Sequence, residues 1–494
     1  MARSRADQEA TRENGVDTKP AASIEAAPNR RRRDGSFARF STAIRYLESR
    51  VNLERSRMPR AVADAMKLDR MHALLDRMGN PHRSLRCVHV AGSKGKGSVC
   101  EMVASCLDGC GYGVGLYTSP HVADIRERIR VAGRLISEAA MTRSISRVRD
   151  AAVMIAEEHG EPTYFEVLTA AALHHFAEQA VDIAVLEVGL GGRLDATNVV
   201  KPDVVGLTEI HLEHCEILGD TLEKIAAEKA GIMKPGVPAL SVPQPGGVIE
   251  VFEAKAAEVG CELAVLGREI DYSVRFESAH RMKPHARVCV STPRSRFEHL
   301  PSPLTGEHQA PNCGLALAIM DRLREQGLGC DERSVAAGLA RTPAGGRMEL
   351  VWERPRVMID GAHTPESLGS LIRALSVTQT FDSLVMVFGC SADKDIDGML
   401  REIGRGADKA IFTRAAGSAR GVEPRDLTAR FGEITGKMSQ TEPDPRAAIN
   451  AAARAVGPGD LIVVTGSFHV AGEAKALFDA KRSGTLPASH GAGS

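Results

Sequence analysis

Residues Arg86 to Ser98 read RCVHVAGSKGKGS, and the reading of this stretch decides the fold of the 494-residue chain. Cys87 to Val90 is apolar and β-branched, the pattern of a buried strand. Gly92, Gly95 and Gly97 interrupt it, and Val99, Met102, Val103, Cys106, Leu107 and Cys110 then recur at helical spacing. Strand, glycine-rich turn and amphipathic helix together make an anion cradle. Glycines let backbone N–H groups crowd round the anion, and the helix N-terminus adds partial positive charge. Lys96 supplies a full charge, and Ser98 a hydroxyl suited to phosphate or Mg²⁺. The spacing is not that of the common phosphate loop: only Ser93 and Lys94 lie between Gly92 and Gly95, and Gly97 separates Lys96 from Ser98. Nucleoside triphosphate binding is the better reading; a surface strand-to-helix turn with a solvated lysine is the alternative.

Composition sets the surroundings of this cradle. Lysine plus arginine balances aspartate plus glutamate, 63 against 63, which excludes a polyanion binder by net charge. The run Arg30 to Arg33 reads as part of a disordered tail rather than a nucleic-acid contact. Ten cysteines are scattered with no C-x-x-C pair, so neither a zinc site nor a thioredoxin-type motif is indicated, and buried thiols in a reducing compartment are expected. No apolar run approaches the roughly 20 residues of a membrane span, and the N-terminus lacks a signal-peptide core. A cytoplasmic protein without membrane or nucleic-acid partners is expected.

Along the chain, residues 1–36 read as a disordered tail and 37–340 as a first domain. The stretch 341–347, RTPAGGR, reads as a hinge, 348–482 as a second α/β domain, and 483–494 as a flexible tail. Phe37, Phe40, Ile44 and Leu47 mark one helical face, and Met66 to Met78 a second helix. Val114 to Tyr117 reads as a strand ending at Thr118, Ser119, Pro120 and His121. Thr163 to Glu166 has capping-box spacing, with Tyr164 and Phe165 either core or pocket wall. Ile183 to Leu186 is a central parallel strand with Glu187 at its carboxyl end, where a nucleotide's Mg²⁺ would want a hard oxygen; a salt bridge to Arg193 is the other reading. Val204 to Leu207 leads to His211 and His214, and Asp220 or Thr221 then caps a helix through Lys229. Pro238 to about Leu300 reads as short strands and turns, and Gly306 to Asn312 precedes an apolar helix. Strands at Val357 to Ile359, Leu384 to Phe388, Ala410 to Phe412 and Leu461 to Val464 alternate with helices, implying a second parallel sheet whose first strand ends in Asp360, Gly361, Ala362 and His363.

Together the stretches HVAGSKGKGS, YTSPH, TYFE, LEVGLGGRLDATNVV, EILGDTLEKIAAEKAGIMKPG, GEHQAPN, GGRMELV, DGAH and VTGSFH resemble the folate branch of the Mur ligases, the bacterial dihydrofolate synthase/folylpolyglutamate synthases. The resemblance runs from Phe37 to about Arg482. It implies a P-loop ATPase-like domain with a mostly parallel sheet, followed by a smaller Rossmann-like α/β domain. The implied activity is ATP-driven amide formation between a pteroate or folate carboxylate and the amino group of L-glutamate, through an acyl phosphate, by a monomer.

Carried over position by position, Gly92, Ser93, Lys94, Gly95, Lys96, Gly97 and Ser98 match the loop holding ATP phosphates, and Asn312, Arg347 and Asp360 match further ATP contacts. Ser119, Glu187 and His214 fall where the family binds Mg²⁺. Lys229 matches a lysine carried as a carbamate, an anion able to hold a second Mg²⁺. His363 resembles the histidine facing the reacting phosphate, which with Lys96 and Lys229 completes the expected catalytic set. Thr163, Tyr164, Phe165 and Glu166, with Leu194, Asp195 and Ala196, resemble the pterin-side wall. Three departures stand out: Ser93 and Lys94 replace the usual Thr-Asn, Glu213 an aspartate, and Thr364 an asparagine. A cell-wall amino-acid ligase lacks support in the short charged segment before Phe37, and the departures motivate a third reading, a nucleotide-binding regulator that has lost ligation.

Overall fold

The computed structural model describes residues 36–52, 68–279, 282–416 and 420–484. The expected N-terminal tail with its arginine run, most of the loop after Asn52, Met66, and most of the C-terminal tail lie outside these residues.

The first sheet is built from β1 (Cys87–Ala91), β2 (Val114–Tyr117), β3 (Ile129–Val131), β4 (Arg134–Leu135), β5 (Ile183–Glu187), β6 (Val204–Leu207), β7 (Ala239–Ser241) and β8 (Leu263–Val265), in the order β4-β3-β2-β5-β1-β6-β7-β8. From β2 to β8 every neighbour is parallel; β3 and β4 form an antiparallel edge. Alternation sorts its side chains into two layers. Val88, Val90, Ile183 and Val185 face the helices Lys96–Gly109 and Gln309–Glu325. Cys87, Ala184 and Leu186 face the helices Phe40–Glu48, Leu68–Arg77, Glu138–His159 and Tyr164–Glu178. Phe37, which precedes the first of these helices, is buried in the same layer.

One expectation fails here. Within Pro238 to Leu300, residues Val248–Val259 form a helix, not strands and turns, because Val248, Phe252 and Ala256 share one face and bury it against Val205 and Ala239. The same region also holds long strands, β9 (Asp271–Ala279) and β10 (Met282–Ser291), which pair antiparallel and with β11 (Arg296–Pro301) form a separate small sheet.

The third sheet comprises β12 (Glu349–Glu353), β13 (Arg356–Ile359), β14 (Leu384–Phe388), β15 (Lys409–Phe412), β16 (Gln440–Thr441) and β17 (Leu461–Thr465), ordered β12-β13-β17-β14-β15-β16. It is parallel except at β12, an antiparallel edge strand that the sequence reading passed over. Leu384, Met386 and Phe388 enter one core layer, Val385 and Val387 the other. The chain is thus α/β throughout, with two mostly parallel sheets. In such sheets ligands bind beyond the carboxyl ends of the strands, and here both sets of ends open on one space.

Candidate active site

That space is a cavity of about 1480 Å³. The first sheet contributes the loop after β1, Ser119 after β2 and Glu187 at the end of β5; the third contributes Asp360 to His363 after β13 and Ser467 and Phe468 after β17.

The loop after β1 has the form a phosphate needs. Gly95 is the N-cap of the helix Lys96–Gly109, with φ +94°, and a Cβ there would lie 2.4 Å from the Asn312 side chain. Only glycine combines that backbone with that approach. Lys96 donates from Nζ to the Gly92 carbonyl at 3.0 Å. Among the described residues Ser98 Oγ is buried with no hydrogen-bond partner, an orphan at a helix N-terminus that an oxyanion or a hard cation would satisfy. A Cβ on Gly97 would stand 2.5 Å from Nη2 of Arg347 and 3.3 Å from Oε2 of Glu187. The guanidinium from the connector, the β5 carboxylate and the loop therefore meet at one point.

Glu187 is buried, and its Oε2 accepts the Ser119 backbone N–H at 2.9 Å. Burial pushes its carboxyl above the usual range, with Lys96 and the Ser119 amide pulling the other way. The alternative bridge to Arg193 is not formed: Arg193 pairs with Glu228 at 2.9 Å. Among the described residues no three histidine, cysteine or carboxylate side chains cluster to hold a metal. The oxygens of Glu187 and Ser119 are the hard donors Mg²⁺ prefers, whereas the His214 imidazole is a softer donor that ligand chemistry alone would not choose.

On the other side of the cavity, Asp360 accepts from the backbone N–H groups of Met348 at 2.9 Å and Ala362 at 2.8 Å. Burial lifts its carboxyl from 3.8 to about 6 despite those bonds. His363 Nδ1 lies 2.8 Å from the Gly361 carbonyl. A carbonyl only accepts, so Nδ1 carries the proton and the neutral ring presents Nε2. Burial holds its pKa below the ordinary value, which favours that neutral ring.

The residues expected on the pterin side fall into two groups. Thr163 caps the helix Tyr164–Glu178, and Glu166 closes the capping box while its carboxylate pairs with Arg70 at 2.9 Å, both side chains buried. Asp195 accepts from the N–H groups of Gly189, Leu190 and Thr197. These three polar residues line the cavity but spend their hydrogen bonds on the scaffold. Tyr164, Phe165, Leu194 and Ala196 supply the apolar surface.

Two expected site residues do not reach the cavity lining. Gly92 gives its carbonyl to both Lys96 and Lys229. Lys229 is buried behind the loop, its Nζ donating to Gly92 O at 2.8 Å and pairing with Glu213 Oε1 at 2.7 Å. Burial lowers Lys229 to about 8, with Glu213 opposing. Burial would raise Glu213, but Lys229 and Lys96 outweigh it and hold the carboxyl at about 2. The helix containing Lys229 is capped by Thr221, not Asp220.

Arg128, Lys394 and Phe468 line the same cavity and were not singled out from the sequence. Phe468 sits within VTGSFH, so its motif was visible although its role was not. Arg128 is buried with Nε donating to His121 Nδ1 at 2.9 Å and its guanidinium over the Tyr164 ring, contacts no sequence pattern announces.

Family models place this architecture. The Mur ligase middle domain matches residues 90–320 and the Mur ligase glutamate ligase domain residues 346–468. The chain is 35% identical over 404 residues to a probable bifunctional folylpolyglutamate synthase/dihydropteroate synthase of Haloferax volcanii, covering 81% of this chain and 47% of that one. It thus spans about half the length of that relative. It is 32% identical over 405 residues to the dihydrofolate synthase/folylpolyglutamate synthase of Bacillus subtilis, covering 81% of this chain and 92% of the relative. The solved Mycobacterium tuberculosis folylpolyglutamate synthase complexed with ADP superposes with a TM-score of 0.79 at 32% identity, covering 89% of this chain and 98% of that one. With two Mur ligase domains in sequence and a full-length relative above 30% identity, the chain belongs to the dihydrofolate synthase/folylpolyglutamate synthase family of Mur-type ligases.

Proposed function

We propose that this protein is an ATP-dependent ligase that joins L-glutamate to dihydropteroate, to a folate tail, or to both, through an acyl phosphate. The observation that carries the proposal is the convergence of Lys96, Ser98 and Glu187 from one domain with Arg347 from the connector and Asp360 and His363 from the other domain on a single cavity. A carboxylate has no leaving group worth displacing, so the γ-phosphoryl must first be moved onto it; the neutral amine of glutamate then attacks and expels phosphate. That chemistry asks for positioning and for charge stabilisation around the migrating group.

The loop from Ser93 to Ser98 holds the phosphates, with Lys96 and Arg347 neutralising charge. Asp360 and Asn312 hold the rest of the nucleotide. His363, with its proton fixed on Nδ1, turns Nε2 to the reacting phosphate. Tyr164, Phe165, Leu194 and Ala196 wall the pterin. Ser119, Glu187 and His214 would hold Mg²⁺, which screens the phosphate oxygens when bound. Residues 341–347 act as the hinge by which the domains close and keep water from the acyl phosphate. Both halves of the cavity come from one chain, which supports a monomer as the working unit.

Carbamylation of Lys229 needs its neutral amine, roughly a tenth of the population at pH 7 for a group with pKa about 8. The Glu213 carboxylate at 2.7 Å opposes an anion at that place. Intact mass under CO₂ decides between the ammonium and the carbamate.

Purified protein with Mg-ATP and glutamate, offered dihydropteroate, a tetrahydrofolate or a UDP-muropeptide in turn, tests the main proposal. Phosphate release with a pterin acceptor alone is the expected result. ATP binding without acceptor-dependent release would overturn it in favour of a regulator.

A further inference from the structure

The helix Phe468–Arg482 carries a glycine where the two domains touch. A Cβ built on Gly472 would lie 1.7 Å from the carbonyl oxygen of Val122 and 2.7 Å from its carbonyl carbon. Val122 belongs to the first domain, in the loop between β2 and the short helix Ile125–Arg128. Its side chain faces Gly346 of the connector, 2.9 Å from where a Cβ would stand there, and packs on the C-terminal layer that contains Val351, Val470 and Phe478. A residue of one domain thus completes a core layer of the other.

The loop is stiff where it docks. Glu127 accepts the backbone N–H of Val122 at 2.7 Å, of Ala123 at 3.1 Å and of Asp124 at 3.0 Å. Asp124 in turn caps the short helix as the other half of a capping box. The Val122 carbonyl is therefore presented by a turn that is already formed, and its position is handed on rigidly to whatever it meets.

The contact also lies between the two sets of site residues. Three positions before Val122, Ser119 donates its N–H to Glu187. One helical turn before Gly472, Phe468 packs on Gly361 and its ring centroid stands 6.3 Å from that of His363. Residues i and i+4 share a helix face, so Phe468 and Gly472 look toward the same cleft.

We infer that Val122 and Gly472 are positioning residues: their close contact is the seat that sets how far the third sheet's Asp360 and His363 stand from the phosphate loop and Glu187. This rests on the ligase reading for its consequence and on the contact itself for its geometry. A methyl group on residue 472 cannot share space with the Val122 carbonyl, so the domains must part by an ångström or more. Misplacement on that scale costs about 100-fold in rate.

Gly472→Ala is the variant of choice because alanine is the stronger helix former, so the helix itself is not weakened. Turnover of the pterin-dependent reaction should fall by about 100-fold while affinity for ADP falls by less than about tenfold. The melting temperature should be no lower than that of the parent. A crystal structure of the variant with nucleotide bound should show Asp360 and His363 moved away from the phosphate loop by about an ångström or more. Val122→Ala, which keeps the carbonyl and removes only the side chain, should show a smaller loss of the same kind. Unchanged turnover in Gly472→Ala would overturn the inference. So would turnover, nucleotide affinity and melting temperature falling together, the mark of a glycine needed only for folding. If the parent protein shows no pterin-dependent turnover, the ligase reading fails on its own. The variant's crystal structure then still decides the seat, and an unchanged separation of the two domains would refute it.

Discussion

Glu187 and Asp360 occupy equivalent places in the two sheets, and the protein treats them differently. Glu187 ends a parallel strand of the first sheet, Asp360 follows one of the third, and burial pushes both carboxyls above their usual range. Around Glu187 the opposing influences are mainly charges, led by Lys96, with one amide from Ser119. Around Asp360 they are two backbone N–H groups, from Met348 and Ala362 on either side of the turn, ahead of Arg347. Glu187 is thus a carboxylate kept among cations, with capacity for another. Asp360, besides the nucleotide contact proposed for it, is a tie that fixes the connector at Met348 to the strand end beside His363. The lesson is that a buried acid at a strand's end does not reveal its work by position; its hydrogen-bond partners do.

The most damaging change should be Lys96→Ala. Among the described residues its ammonium makes one hydrogen bond, to Gly92 O, so the fold should survive while acceptor-dependent phosphate release falls by about 1000-fold or more. Phosphate release and a thermal melt on the same preparation check this, and near-normal turnover would refute the assigned cradle.

Glu187→Gln should come next, with a loss of about 100-fold. The amide still accepts the Ser119 N–H but leaves Lys96 and Arg347 facing each other without a carboxylate. Turnover measured across a Mg²⁺ series is the readout. A variant as responsive to Mg²⁺ as the parent would remove Glu187 from the cation site and dissolve the contrast with Asp360.

Asp360→Asn should cost less, about tenfold, because one amide oxygen can still accept one of the two backbone N–H groups. Its sharper signature is in stability against pH. The folded carboxyl titrates near 6, above its ordinary 3.8, so folding favours its protonated form. Its contribution to stability is therefore fullest at or below about pH 4 and declines as pH rises through about 6. Melting temperature of Asp360→Asn minus that of the parent should rise across that window and level off above it. A flat difference would show that the carboxyl is not desolvated.

How far the sequence carried this picture follows from the range of the interactions. The strand, loop and helix from Cys87 to Gly109 were legible because a change from strand to helical periodicity, punctuated by glycines, is written within a single short stretch. The Thr163–Glu166 capping box was legible for the same reason. Over Val248–Val259 the sequence misleads, because β-branched Val248, Ile249 and Val251 favour strand locally while burial of one face on a distant strand decides for helix. Closeness in sequence offers Arg193 to Glu187, but the chain turns it to Glu228 on the helix Leu222–Ala230 instead. Arg347 against Gly97 and Val122 against Gly472 join residues hundreds of positions apart. One sequence contains no signal for such pairs, and only the resemblance to a family brought Arg347 into the site at all.

The gentlest change tests whether the departure beside His363 matters. Thr364 is the N-cap of the helix Pro365–Thr378, its Oγ1 accepting from the Ser367 N–H at 3.3 Å within a capping box. The same Ser367 accepts the His363 N–H on its hydroxyl at 3.1 Å, so the cap and the histidine share one support. Asparagine is at least as good an N-cap as threonine. Thr364→Asn should therefore leave stability within about 0.5 kcal/mol and turnover within about twofold, whereas Thr364→Ala should lose about 1 kcal/mol with the cap. Melting curves and pterin-dependent turnover of the two variants separate the cases. A loss of turnover in Thr364→Asn beyond about fivefold, with stability unchanged, would mean the residue meets the substrate and not merely the helix. The third-sheet side of the cavity would then be less purely a scaffold than its hydrogen bonds declare.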